Sequence, residues 1–222
     1  MSRRVHSATA GIVAAVLLQG LIPGAALAAL FPGELIPVGR NPYYALVGDV
    51  NGDLRPDIIT ANAGGTVSIL INDGGGYQPF VDYSVGDLPL WVDSGDFNED
   101  GHLDLAVPNF GSSDVSILIG AGDGTFAPQV RYAGASYVFS TAVGDLNGDA
   151  HMDLVTGSLF TGDIALLFGT GDGTFASPVS MPGGAGTIQP IIADVNGDGV
   201  VDVSFSSGSS DEVGVSLGRG GG

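Results

Sequence analysis

The chain has 222 residues, with 24 Asp and Glu against six Lys and Arg, a formal charge of −18 and no cysteine. A chain this acidic is expected to be repelled by nucleic acid and by anionic membrane surfaces, and without cysteine it has neither disulfides nor a thiol nucleophile. Disorder is a poor fit, because the 44% of hydrophobic residues arrive in short, regular runs.

Residues 1–28 read as a secretory signal. Arg3 and Arg4 precede an apolar stretch from Ala8 to Ile22, and Ala26-Leu27-Ala28 supplies the small-x-small pattern of a cleavage site after Ala28. Gln19, Gly20, Pro23 and Gly24 interrupt the apolar core, which makes it a poor membrane span. The expected location is therefore secreted, extracellular or periplasmic, with no membrane insertion once the signal is removed. Residues 29–222 form the expected domain, long enough for one sizeable core. They keep only Arg40, Arg55, Arg131 and Arg219 against all 24 acids, a formal charge of −20, and contain no lysine. Compacting such a chain calls for bound counter-ions, and with no disulfide to staple its loops, metal is the natural staple.

Four segments then recur: GDVNGDLRPD from Gly48, GDFNEDGHLD from Gly95, GDLNGDAHMD from Gly144 and ADVNGDGVVD from Ala193. After each comes a β-prone run (Ile58, Leu105, Leu154, Val203), then a second apolar run (Thr66, Asp114, Asp163, Glu212). A glycine-rich turn follows, clearest as Gly122-Asp123-Gly124-Thr125-Phe126 and Gly171-Asp172-Gly173-Thr174-Phe175. No apolar residues recur at helical spacing beyond the signal. Short Val/Ile/Phe-rich runs bounded by Gly, Asp and Pro read as strands, and four strands per module suit a propeller blade. The expected fold is all-β: a β-propeller of four-stranded blades with four repeats. The last module breaks off at Gly220-Gly221-Gly222, and Phe31 to Gly39 resembles the strand it lacks. N-terminal strands are therefore expected to complete the last blade and close the ring, which would remove exposed sheet edges.

Each acidic loop presents oxygen at places 1, 3, 5 and 9, with place 7 free in identity because its backbone carbonyl serves. The candidate ligands are Asp49, Asn51, Asp53, Arg55 and Asp57; Asp96, Asn98, Asp100, His102 and Asp104; Asp145, Asn147, Asp149, His151 and Asp153; and Asp194, Asn196, Asp198, Val200 and Asp202. Hard cations take six to eight oxygens in such loops, so about four Ca2+ ions are expected, in preference to magnesium with its several waters. A polar hairpin turn explains one such stretch, but not an acid at a fixed offset in all four. An EF-hand is excluded, because its place-12 glutamate is absent (Thr60, Val107, Thr156, Phe205) and both flanks read as strand. Gly101 and Gly199 follow the third ligand in two loops, and Leu54 and Ala150 at that place imply strain in the others.

These loops, the strand after them, the Gly-Asp-Gly-Thr-Phe turn and Phe126-Ala127-Pro128 resemble the FG-GAP and VCBS repeat family, whose best-known members form the propeller of integrin α subunits. The resemblance covers essentially all of residues 29–222. It implies structural calcium in the hairpin between the first two strands of each blade, and extracellular adhesion or recognition of carbohydrate or protein. Family propellers commonly have seven blades, so a four-bladed ring, an open arc and an oligomer all stay open here.

The expected function is thus a calcium-binding recognition module with a glycan or protein partner. Tyr43, Tyr44, Trp91, Tyr137 and Phe139 are candidate sugar-stacking aromatics. A scaffold that self-associates is the alternative, and a metal-assisted hydrolase is the third reading. No catalytic residues are expected: the only histidines beyond the signal, His102 and His151, sit at loop place 7, and no lysine or cysteine accompanies them.

Overall fold

The computed structural model describes residues 35–183, 186–208 and 211–220. The expected signal at residues 1–28 lies outside the described residues. Contacts divide the chain into Met1–Ile36 and Pro37–Gly222, and the architecture described here is that of the second unit.

Every described element is a strand. The first sheet is β1 (Pro42–Gly48), β2 (Asp57–Asn62), β3 (Thr66–Leu70) and β4 (Val81–Ser84). The second is β5 (Asp93–Gly95), β6 (Asp104–Asn109), β7 (Asp114–Leu118) and β8 (Val130–Ala133). The third is β9 (Val138–Gly144), β10 (Asp153–Ser158), β11 (Asp163–Leu167) and β12 (Val179–Pro182). The fourth has three strands: β13 (Thr187–Ala193), β14 (Asp202–Ser207) and β15 (Glu212–Ser216). Each sheet is an antiparallel meander in chain order. Register is pinned at one end in all four, with Gly48, Gly95, Gly144 and Ala193 opposite Asp57, Asp104, Asp153 and Asp202. The acidic loops are therefore the connection between first and second strands, as expected.

Alternation along the second and third strands explains why the sheets stack. Ile59, Ala61, Val67 and Ile69 of the first sheet pack against Leu105, Val107 and Leu118 of the second. Ala106, Val115 and Ile117 meet Leu154 and Leu167 of the third, and Val155 and Ile164 meet Val203 and Phe205 of the fourth. β6 and β10 are thus apolar on both faces, one for the sheet before and one for the sheet after. Aromatic plugs join neighbours too. Phe126 lies edge-on to Tyr83 at 5.5 Å between ring centres, and Phe175 lies 5.4 Å from both Phe97 and Tyr132. The Phe of each Gly-Asp-Gly-Thr-Phe turn therefore fills the preceding sheet's flank.

The end of the stack differs. Val213 and Val215 occupy the places of Val67 and Ile69, yet Val213 is 74% exposed where Val67 is fully buried. Of the segment expected to complete this sheet, residues 31–34 lie outside the described residues. Leu35 to Gly39 form no strand, and the Gly39 N–H donates to Ser68 Oγ of the first sheet at 2.8 Å. The described fourth sheet keeps three strands and a free edge on β15.

Candidate metal centres at the aspartate loops

Place 1 of each loop anchors the turn. Asp49 accepts N–H bonds from Gly52 (2.8 Å) and Leu54 (2.7 Å), and Asp145 accepts from Gly148 (2.7 Å) and Ala150 (2.9 Å). Asp96 holds Asp100 and Gly101, and Asp194 holds Gly197 and Gly199. At place 3 the Asn Nδ2 donates to the place-5 carboxylate at 2.7–2.9 Å in all four copies. The place-5 Asp in turn accepts the backbone N–H of place 7, from Arg55, His102, His151 and Val200. These are Asx turns in series. They leave three oxygen-bearing side chains on a crest that is half-buried in the first loop and exposed in the fourth.

Place 9 behaves differently. Asp57, Asp104, Asp153 and Asp202 open the second strands and are almost fully buried. One carboxylate oxygen accepts the N–H of loop place 2, from Val50, Phe97, Leu146 and Val195. The other accepts the N–H just beyond the third strand, from Asn72, Gly120, Gly169 and Gly218, at 2.7–2.8 Å. This aspartate is a clamp tying the loop to the third strand. Only a residue with two acceptors on a short stem serves both amides, so its recurrence has a reason beyond metal binding. Each oxygen keeps a further lone pair.

The electrostatics follow from this division. Asp49 is lowered because four backbone N–H groups outweigh a burial contribution that raises it. Asp100 is lowered first by the Asn98 amide, Asp149 by the His151 N–H, and Asp194 by the Gly199 N–H. Burial raises Asp104 and Asp153 against their backbone donors, and the carboxylates at places 1 and 5 of the same loop push them further up. That mutual repulsion is what a divalent cation relieves. Among the described residues no three carboxylate or imidazole side chains converge to hold a metal. Place 3 is an amide in every copy and place 9 is turned to backbone, so such a convergence has no third member. The donor set still suits a hard cation: carboxylate, amide and carboxylate oxygens at places 1, 3 and 5, with a carbonyl at place 7.

Loop strain falls partly where the sequence places it. Leu54 and Ala150 take positive φ of 64° and 73°, where Gly101 and Gly199 take 84° and 86°. Place 4 makes the same demand, met by Gly52, Gly148 and Gly197, but in the second loop by Glu99 at 59°. Only the fourth loop has glycine at both.

Place 7 packs against the following turn. A Cβ on Gly122 would lie 2.3 Å from His102 Cε1, and one on Gly171 would lie 2.5 Å from His151 Nδ1. The second glycine of each turn reaches the previous sheet: Gly124 N–H donates to the Val50 carbonyl and Gly173 N–H to that of Phe97. The second loop is thus buttressed by its own sheet and by the next, and the first loop also receives the next sheet's turn. Arg55 pairs with Asp53 at 2.5 Å, and His151 Nδ1 lies 2.5 Å from Glu99 Oε1, linking the second and third loops.

The aromatic candidates separate. Tyr44 and Trp91 stack on each other at 3.8 Å, and Tyr43 meets Phe139 edge-on at 6.5 Å. Tyr43, Tyr44 and Phe139 lie on first strands and Trp91 just before β5, toward the end of the sheets opposite the loops. Tyr137 joins Phe110 and Phe160, at 5.6 and 5.4 Å, in a cluster that sequence reasoning missed. Phe110 and Phe160 lie in turns whose sequences do not repeat.

Two solved structures share this arrangement. One is a lectin of Agrocybe aegerita described as recognising non-reducing terminal N-acetylglucosamine, 24% identical with a TM-score of 0.56 over 81% of this chain and 50% of the lectin. The other is BBS1N in complex with ARL6DN, 12% identical with a TM-score of 0.54 over 82% of this chain and 59% of that one. The chain thus spans between half and three-fifths of these neighbours, and they show a propeller-like fold. No curated protein sequence matches the chain. The FG-GAP-like repeat model matches residues 49–107, 96–156 and 157–204, spanning the acidic loops and the strands around them, and the chain belongs to the FG-GAP-like repeat family.

Proposed function

We propose that the protein is an exported, calcium-binding recognition module, without catalysis, that binds a glycan or a protein through surfaces its loops hold in place. Each loop takes one calcium ion through places 1, 3 and 5 and the carbonyl of place 7. The place-9 aspartate passes the resulting order into two strands. The observation that carries this reading is the repetition of one hydrogen-bonded geometry in four loops, with carboxylates near enough to repel in the second and third. Family membership supports a binding role, and the Agrocybe aegerita lectin gives a precedent for a glycan site on a similar fold. Secretion through residues 1–28 and closure into a four-bladed ring by an N-terminal strand belong to the same proposal. Calorimetric titration of the metal-free chain with calcium tests it. About four ions per chain are expected, and an absence of heat at millimolar calcium would remove the metal from the account.

A scaffold that assembles with its own copies is the second reading. It is favoured by the exposed Val213, Val215 and Leu217 of the fourth sheet and by Tyr43 and Val47 of the first. These are the places that elsewhere pack one sheet on the next. Sedimentation of the chain with and without calcium separates the two readings, since a scaffold forms calcium-dependent assemblies.

A further inference from the structure

Phe110, Tyr137 and Phe160 lie at the end of the second and third sheets opposite the acidic loops. Phe110 and Phe160 are in the turns between second and third strands, and Tyr137 is in the approach to β9. Their ring centres form a triangle with sides of 5.6, 5.7 and 5.4 Å, and the planes are inclined by 50°, 65° and 79°. Phe160 is 63% exposed and Tyr137 46% exposed. Rings this exposed have not been recruited to the core.

The backbone makes the choice of residue stranger still. Asn41, Leu88, Tyr137 and Gly186 are equivalent residues before the four first strands, all at positive φ of 52–73°. Asn and Gly suit that conformation, whereas a bulky side chain there is strained. The first and fourth sheets use Asn41 and Gly186, and the second and third use Leu88 and Tyr137, both exposed. Neither is repaid by burial. Tyr137 is held in place by its N–H to Ser113 Oγ at 3.0 Å, and the Phe110 N–H donates to the Leu88 carbonyl at 3.1 Å.

The surroundings specify the ligand. Asp87 is exposed beside Phe110-Gly111, its carbonyl accepting the Gly111 N–H, while the Ser112 and Thr161 hydroxyls donate to Asp114 and Ser158 within their own turns. The chain has no lysine, and Arg131 is engaged by Asp114 on the neighbouring strand. An anionic ligand would meet the Asp87 carboxylate here, whereas Arg40, the equivalent residue of the first sheet, lies before β1. An apolar face with hydroxyls around its rim satisfies both the rings and Asp87, because aromatic faces attract C–H groups and carboxylates accept O–H bonds. We propose that Phe110, Tyr137 and Phe160 form a platform for a neutral sugar ring, with Asp87 accepting its hydroxyls. This rests on the recognition reading above and names its site and ligand class.

The test is titration of the full chain with neutral oligosaccharides of glucose, galactose, mannose and N-acetylglucosamine, followed by the same titration of Phe160→Ala and Tyr137→Asn. Asn suits the backbone of place 137, so the second variant keeps the fold. Losing one stacking ring is expected to weaken binding about tenfold or more, with melting unchanged, whereas Tyr43→Ala binds as the parent does. Glycan binding that survives both variants would overturn this site and leave the recognition reading standing. A protein or peptide captured through these rings, with no neutral sugar bound, would overturn the ligand class. No binding of any neutral oligosaccharide would overturn the inference altogether, while calcium stoichiometry reports separately on the loops.

Discussion

The two ends of the sheets obey opposite rules. At the loop end, four copies repeat the same bonds: place 1 holds the turn, place 3 donates to place 5, and place 9 clamps two backbone amides. At the other end the equivalent turns diverge, as Ala63-Gly64, Phe110-Gly111, Leu159-Phe160 and Gly208. The loop end is buttressed by its own glycine turn and by that of the next sheet, whereas the opposite end exposes aromatic rings. Repetition marks what every module needs to fold and stack. Divergence marks where one pair of sheets has been given something of its own.

The largest expected effect at the loop end is removal of an inter-sheet plug. Phe175→Ala should cost about 3–5 kcal/mol, because the ring touches Phe97 and Tyr132 of the preceding sheet. Phe160→Ala, also the loss of a benzyl group, should stay within about 0.5 kcal/mol. Equal losses in urea melts of the two variants would erase the distinction between the ends.

Next comes the clamp. Asp104→Ala leaves the N–H groups of Phe97 and Gly120 buried and unpaired, at about 1–3 kcal/mol each, and the melting temperature should fall even in chelator. Asp100→Ala, on the crest, should lower the calcium response and leave melting in chelator almost unchanged. Calorimetry on the pair separates a structural place 9 from a metal-binding place 5.

Strain gives a smaller, favourable effect. Leu54→Gly and Ala150→Gly relieve positive φ and are expected to stabilise by roughly 0.5–1 kcal/mol, visible as a small rise in melting temperature. Gly199→Ala should do the reverse.

The smallest effects are in pH. Asp49, Asp100, Asp149 and Asp194 are lowered, so their contribution is present above the ordinary Asp value and lost as pH falls through the depressed one. Asp104 and Asp153 are raised, so ionising them costs stability as pH climbs from the ordinary value to the raised one. The two sets oppose each other, and metal-free stability should change little between pH 6 and about pH 4. His151 is raised chiefly by its bond to Glu99. Its contribution is therefore complete below the ordinary imidazole value and lost as pH rises through the raised one. Glu99→Gln should lower the His151 titration midpoint followed by proton NMR, with His102 as the internal comparison.

Much of this was legible in the residues. The 47- and 49-residue spacings, the runs after each loop and the hairpin position of the loops follow from patterning alone, because strand period and turn chemistry are local. Strain at Leu54 and Ala150 was legible for the same reason. The clamp was not, since the partners of Asp104 at Phe97 and Gly120 become neighbours only once the third strand is placed. Nor was the demand at Glu99 for positive φ. The pairing of Tyr44 with Trp91 was hidden for a related reason, since they come from different sheets and cover each other. Phe110 and Phe160 carry no repeat to single them out.

The most direct test is calorimetric melting of the full chain in millimolar calcium and in excess chelator, beside a variant with Asp49, Asp96, Asp145 and Asp194 all changed to Asn. At a hundred times the dissociation constant, each occupied loop should add about 2.7 kcal/mol. The account predicts a large calcium-dependent rise for the parent chain and none for the variant. A parent chain that melts alike in calcium and chelator would contradict it, leaving four polar hairpins held by their place-9 clamps.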